Sequence, residues 1–129
     1  MSTRSAIGIM DNDGKIRSVY CHFDGYPDHN GTILERHYRE REKIEELLKL
    51  GSISVLAERV APRESETHTF DKPVAGVVVA YHRDRGDVYH APDEWEDGED
   101  FVRNVERAYW AEYVYLWKEA GGWCTILLR

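Results

Sequence analysis

The sequence predicts an α+β domain: a largely antiparallel sheet of about five strands, with two to three helices grouped on one face. Three observations predict it. Apolar and polar residues alternate around turn residues near both ends of the chain, as β-hairpins require. Helical spacing is confined to the stretches between them, at Ile44, Leu47 and Leu48 and again at Phe101, Val102 and Val105. The 129 residues make one domain, 1–129, large enough to bury a core without disulfide or metal staples.

The elements follow in order. Ala6–Met10 and Ile16–His22 flank Asp11-Asn12-Asp13-Gly14, whose residues tolerate the backbone angles of a tight reversal, and this predicts an N-terminal hairpin. Side chains alternate across a strand, so Ile16, Ser18, Tyr20 and His22 share one face and Arg17, Val19, Cys21 and Phe23 the other. Gly25, Pro27, Asp28, Asn30 and Gly31 then predict a loop, Thr32 to Tyr38 a helix, and Ile44 to Leu48 a second helix stopped at Gly51. Residues 61–73 are polar and bounded by Pro62 and Pro73, which predicts a loop. Gly76–Tyr81, with β-branched residues on both faces, predicts a central strand. The acidic run from Asp93 to Asp100 precedes a short helix whose N-terminal dipole favours carboxylates. Trp110–Trp117 and Trp123–Leu128, on either side of Glu119-Ala120-Gly121-Gly122, predict a C-terminal hairpin.

Composition narrows the function. A net charge of −7 argues against a protein that coats nucleic acid through phosphate contacts, while suiting one that docks on a basic partner. No run approaches the roughly 18 apolar residues of a membrane span, and the start leads into a strand rather than a signal-peptide core, so a cytoplasmic protein is expected. Cys21 and Cys124 lie in apolar segments without Cys-x-x-Cys spacing, so neither a zinc ribbon nor a redox pair is expected, and no metal or cofactor is. Phosphate loops, Gly-x-Ser-x-Gly elbows and His-Glu-x-x-His helices are absent, which leaves catalysis undecided and leans against it.

Two polar segments are candidate sites. The first carries Tyr20, His22, Asp24 and Tyr26; an imidazole and a carboxylate two residues apart can orient one another for acid–base work, or can simply satisfy a strand end and a turn. In the second, His82, Arg83 and Arg85, two guanidiniums can fork onto a phosphate or pair with Asp84 and Asp87. A working pocket requires the two segments to meet. On the last hairpin, Tyr113, Tyr115 and Trp117 share one side and serve either as core or as an interface for self-association. His68 and His90 are expected to be structural.

The opening Met1-Ser2-Thr3-Arg4-Ser5-Ala6-Ile7-Gly8-Ile9 and the string Tyr20-Cys21-His22-Phe23-Asp24-Gly25-Tyr26-Pro27 resemble a family of small phage and prophage proteins, mostly of unassigned function. The similarity continues through Gly31, Leu34 and Tyr38, through Gly51–Ser54, and through Ala80–Gly86 to the Trp110–Tyr113 stretch. Phe23 stands where the family more often has Trp. The resemblance implies an accessory protein of mobile elements. The expected activity is non-enzymatic binding and inhibition of a host factor, such as a nucleic-acid-binding defence effector, as an anti-CRISPR or other anti-defence inhibitor. The alternatives are a pocket protein that sequesters or cleaves a small phosphorylated or nucleotide signal, and a self-associating structural module.

Overall fold

The computed structural model describes residues 2–128, so Met1 of the opening string lies outside the described residues. Among them the chain forms seven strands and four helices. The first hairpin joins β1 (Ser5–Met10) to β2 (Ile16–Cys21), antiparallel, with Ala6 opposite Tyr20 and Gly8 opposite Ser18. A single wide helical turn at Pro27–Gly31 leads into α1 (Thr32–His37), followed by α2 (Arg41–Leu48). After β3 (Ile53–Val55), β4 (Val79–Ala80) and the one-turn α3 (Tyr81–Arg85) come β5 (Asp93–Trp95) and α4 (Gly98–Tyr109). The chain closes with the hairpin of β6 (Tyr113–Lys118) and β7 (Gly122–Leu127).

The sheet is open, in the order β4-β3-β2-β1-β6-β7, with β5 paired to the start of β2. It is mostly antiparallel; β1 with β6 and β2 with β3 run parallel. The α+β class and both terminal hairpins are therefore present, but the sheet has seven strands rather than about five. The additional strands, β3 and β5, are three residues each, too short to show an alternating pattern.

Helices cover both faces of this sheet, not one. On the first face Ile7, Ile9, Val19, Cys21, Tyr115 and Trp117 pack against Leu34 and Tyr38 and against Ile44, Leu47 and Leu48 of α2. On the other, Ala6, Ile16, Val114 and Leu116 pack against Phe101, Val105 and Tyr109 of α4. The cause is in the strands: β1, β2 and β6 carry apolar residues at both parities, and each apolar face has to be removed from water. Tyr115 is fully buried and Trp117 nearly so. That corrects the reading of these two as an interface, while Tyr113 is partly buried against the same core.

Gly76–Tyr81 is not a central strand. Val79 and Ala80 pair at the edge of the sheet beside β3, Val77 makes an isolated parallel bridge to Arg59, and Tyr81 begins α3. Val77 and Val78 are buried nonetheless, because the 59–76 segment folds over them: the Val78 amide donates to the Arg59 carbonyl and the Arg83 guanidinium donates to the Val78 carbonyl. A covered edge buries side chains as thoroughly as a central position does.

The 61–76 loop is held by a buried polar node. Asp84 accepts hydrogen bonds from His68 Nε2 (3.0 Å), the Ala80 amide (2.8 Å) and the Arg83 guanidinium (2.8 Å to Oδ1). The Val74 amide donates to Nδ1 of His68, so the ring carries its proton on Nε2 and gives it to Asp84. Burial pushes the Asp84 carboxyl up, and Arg83, Ala80 and His68 together outweigh it and hold it below the usual carboxylate value.

Candidate functional site

The Tyr20–Pro27 string turns out to divide. Cys21 is buried in the core, and burial pushes its thiol up to about 11, so it is a packing residue. Gly25 is wedged against the first residues of the chain: a Cβ there would stand 2.7 Å from the Thr3 carbonyl oxygen. Its amide donates to that same carbonyl, and its own carbonyl accepts from the Tyr115 hydroxyl at 2.7 Å. Asp24 adopts a left-handed backbone (φ 56°), and its charge and hydrogen bond raise the pKa of the exposed Tyr26 hydroxyl. Asp24 thus acts electrostatically on Tyr26, on the same loop. No hydrogen bond joins Asp24 to His22 among the described residues, and the expected acid–base pair is not formed.

Tyr20 and His22 instead project on the α4 side of the sheet, where Arg4, two residues before Ala6, shares their face. Arg4 Nε donates to the Tyr20 hydroxyl at 3.0 Å, which leaves that hydroxyl's proton to be given to His22 Nδ1 at 2.5 Å. His22 is therefore neutral with its proton on Nε2, and burial with the nearby Arg4 charge lowers its pKa. Its basic nitrogen is occupied by Tyr20, so it is not available to take a proton from a bound molecule. The Nη1–Nη2 fork of Arg4 has no protein partner among the described residues.

Arg4 lines a groove of about 630 Å³ together with Tyr20, Ser52, Ala108, Tyr109 and Trp110. Tyr20 and Ser52 also line an adjoining hollow of about 420 Å³, with Tyr81, His82, Arg85, Asp87 and His90 on its far wall. Of the first candidate segment only Tyr20 lines the hollow that His82 and Arg85 line; His22, Asp24 and Tyr26 do not. Each hollow falls within the roughly 300–1,000 Å³ range of small-ligand sites. No group of three or more His, Cys, Asp or Glu is placed to hold a metal ion among the described residues.

The second segment divides too. Arg83 is committed to the fold, donating to the Val60 and Val78 carbonyls and to Asp84, so it is not a ligand residue. Arg85 faces the hollow, lying over the Phe70 and Tyr81 rings at 4.8 and 4.7 Å and clamped by Asp87 through Nε and Nη2, with Nη1 left over. His82 Nδ1 donates to the Asp87 carbonyl at 2.7 Å, which leaves Nε2 open. His90 pairs with Asp93.

Two groove residues carry no warning in the sequence. Arg4 stands only in the opening string of the resemblance, and Trp110 only at the head of the stretch read as the last hairpin, and neither position is marked by a chemical pattern. Trp110 is 66% exposed and occupies the left-handed C-cap of α4 (φ 58°), a position that favours Gly or Asn. Only the fold brings positions 4, 20, 52 and 110 to one surface.

Among the described residues no helix is long and apolar enough to cross a membrane. Compared with protein-family models, curated proteins and solved structures, the chain matches none.

Proposed function

We propose that this protein binds a small phosphorylated ligand in the groove beneath Tyr20, as a sequestering protein rather than an enzyme. The observation that carries this is the Arg4 guanidinium, whose Nε is held by the Tyr20 hydroxyl, whose two-nitrogen fork has no partner among the described residues, and which lines a groove of ligand size. Such a fork matches phosphate oxygens two at a time. Arg85 adds a second cation about the shared Tyr20 wall, and the Ser52 hydroxyl, which has no protein partner among the described residues, supplies a neutral donor. On a chain of net charge −7 this is a local basic site, and the surrounding acidity screens out polyanions that would need a broad basic face. Binding is favoured over cleavage because the expected acid–base pair is not formed: His22 spends its acceptor nitrogen on Tyr20 and has no hydrogen bond to Asp24 among the described residues.

The resemblance to phage and prophage proteins supplies a setting: withdrawing a phosphorylated signal counters a host response without catalysis. The reading in which the acidic surface occupies a host protein rests on net charge and that resemblance alone. Calorimetric titration with phosphate and pyrophosphate tests the proposal. Saturable binding is expected that falls at least tenfold in Arg4→Gln, the loss expected of a charge-assisted bidentate contact. Equal binding by the variant, or no heat with either anion, would overturn it.

A further inference from the structure

Trp110 is poorly explained by folding. Its ring is mostly in solvent, its indole N–H has no acceptor among the described residues, and no other aromatic ring stacks on it there. The left-handed backbone strains a bulky residue in a way that Gly would not. A large flat side chain kept exposed at an unfavourable backbone position, on the wall of the groove that holds the Arg4 fork, is the pattern of a side chain held for a ligand.

We propose that the phosphorylated ligand is a nucleotide, with its base stacked on Trp110 and its phosphate on the Arg4 fork. This rests on the reading of the groove as a phosphate site and deepens it. The other two aromatics of the same wall do not compete for the role: Tyr20 and Tyr109 pack edge-to-face on each other at 5.7 Å, and the Tyr109 hydroxyl is tied to Ser18 and Asp93. Trp110 alone offers an open ring face. Base stacking tolerates any nucleobase, so selectivity among bases is expected to be weak and preference for a nucleotide over a sugar phosphate strong. The proposal also accounts for a site that combines one fork with an indole and lacks a Gly-rich phosphate loop: a single phosphate group needs only one bidentate anchor when stacking supplies the rest.

The test compares AMP, GMP and CMP with ribose 5-phosphate and inorganic phosphate by calorimetry, on the wild-type chain, Trp110→Gly and Arg4→Gln. The expected result is that the three nucleotides bind about tenfold or more tightly than ribose 5-phosphate. In Trp110→Gly that advantage collapses to less than about threefold while ribose 5-phosphate binds as before. Because Gly suits the left-handed cap, this variant is expected to melt no lower than wild type, which separates a ligand role from a structural one. Equal affinity for AMP and ribose 5-phosphate in the wild type would overturn the nucleotide assignment and leave the phosphate site standing. Failure of every phosphorylated probe, or binding indifferent to Arg4→Gln, would instead remove the phosphate site itself.

Discussion

Arg4, Tyr20 and His22 form a directional chain, and the protonation of its last member decides whether the chain holds. With Nδ1 of His22 accepting from Tyr20, protonation turns that acceptor into a donor, and the Tyr20 hydroxyl then faces two donors. Burial and Arg4 lower the folded-state pKa of His22 below the usual 6.5. The unfolded chain therefore takes up this proton first, and the sign follows: the stability linked to His22 is fully present above about 6.5 and is lost as pH falls through the lower folded value. Thermal melts of wild type and His22→Ala between pH 7.5 and 5 should show a steeper decline in wild type. Parallel curves would contradict this tautomer. Of this trio Tyr20 and His22 were legible as a unit through alternation along β2, and the predicted hairpin brings the start of β1 beside them, but no pattern marks Arg4 as the residue that engages them. The expected His22–Asp24 pair failed because Asp24 takes a left-handed turn and acts on Tyr26 instead.

At the scale of elements, period-two alternation identified both hairpins, and helical spacing placed the middle of α1 and α2. A buried apolar run has no such signature: Gly76–Tyr81 reads the same whether it lies mid-sheet or at an edge under a loop. What holds that loop is the His68–Asp84–Arg83 node, whose members are sixteen residues apart in the case of His68 and Asp84, beyond the reach of local pattern. Asp84→Ala leaves the His68 ring, the Ala80 amide and Arg83 without their shared acceptor, and removing one partner of a buried charged network costs about 3–5 kcal/mol. The loop should then open locally, and trypsin should cut at Arg63 and Lys72 faster than in the wild-type chain. An unchanged melting temperature with an unchanged digestion pattern would show that the 61–76 loop is held by something else.

The whole molecule is one sheet clothed on both faces, with the candidate site where the α4 cap, the start of β1 and the end of β2 meet. The second helical layer was readable in principle: Ile16, Val114 and Leu116 are apolar on the face opposite Val19, Tyr115 and Trp117, and a face so apolar needs a cover. The groove as a whole was not readable: positions 4 and 20 meet through the β1–β2 hairpin, but 52 and 110 join them only through the parallel pairing of β2 with β3 and of β1 with β6. The proposed phosphate contact lies at the Arg4 fork, not at the Asp24–Tyr26 loop or Arg83. A pyrophosphate titration of the 15N-labelled protein followed by NMR tests it most directly. The Arg4 Nε–H signal should shift and saturate, while the amides of residues 24–26 and the Arg83 Nε–H stay in place. Movement confined to the loop amides, or no movement at Arg4, would contradict it.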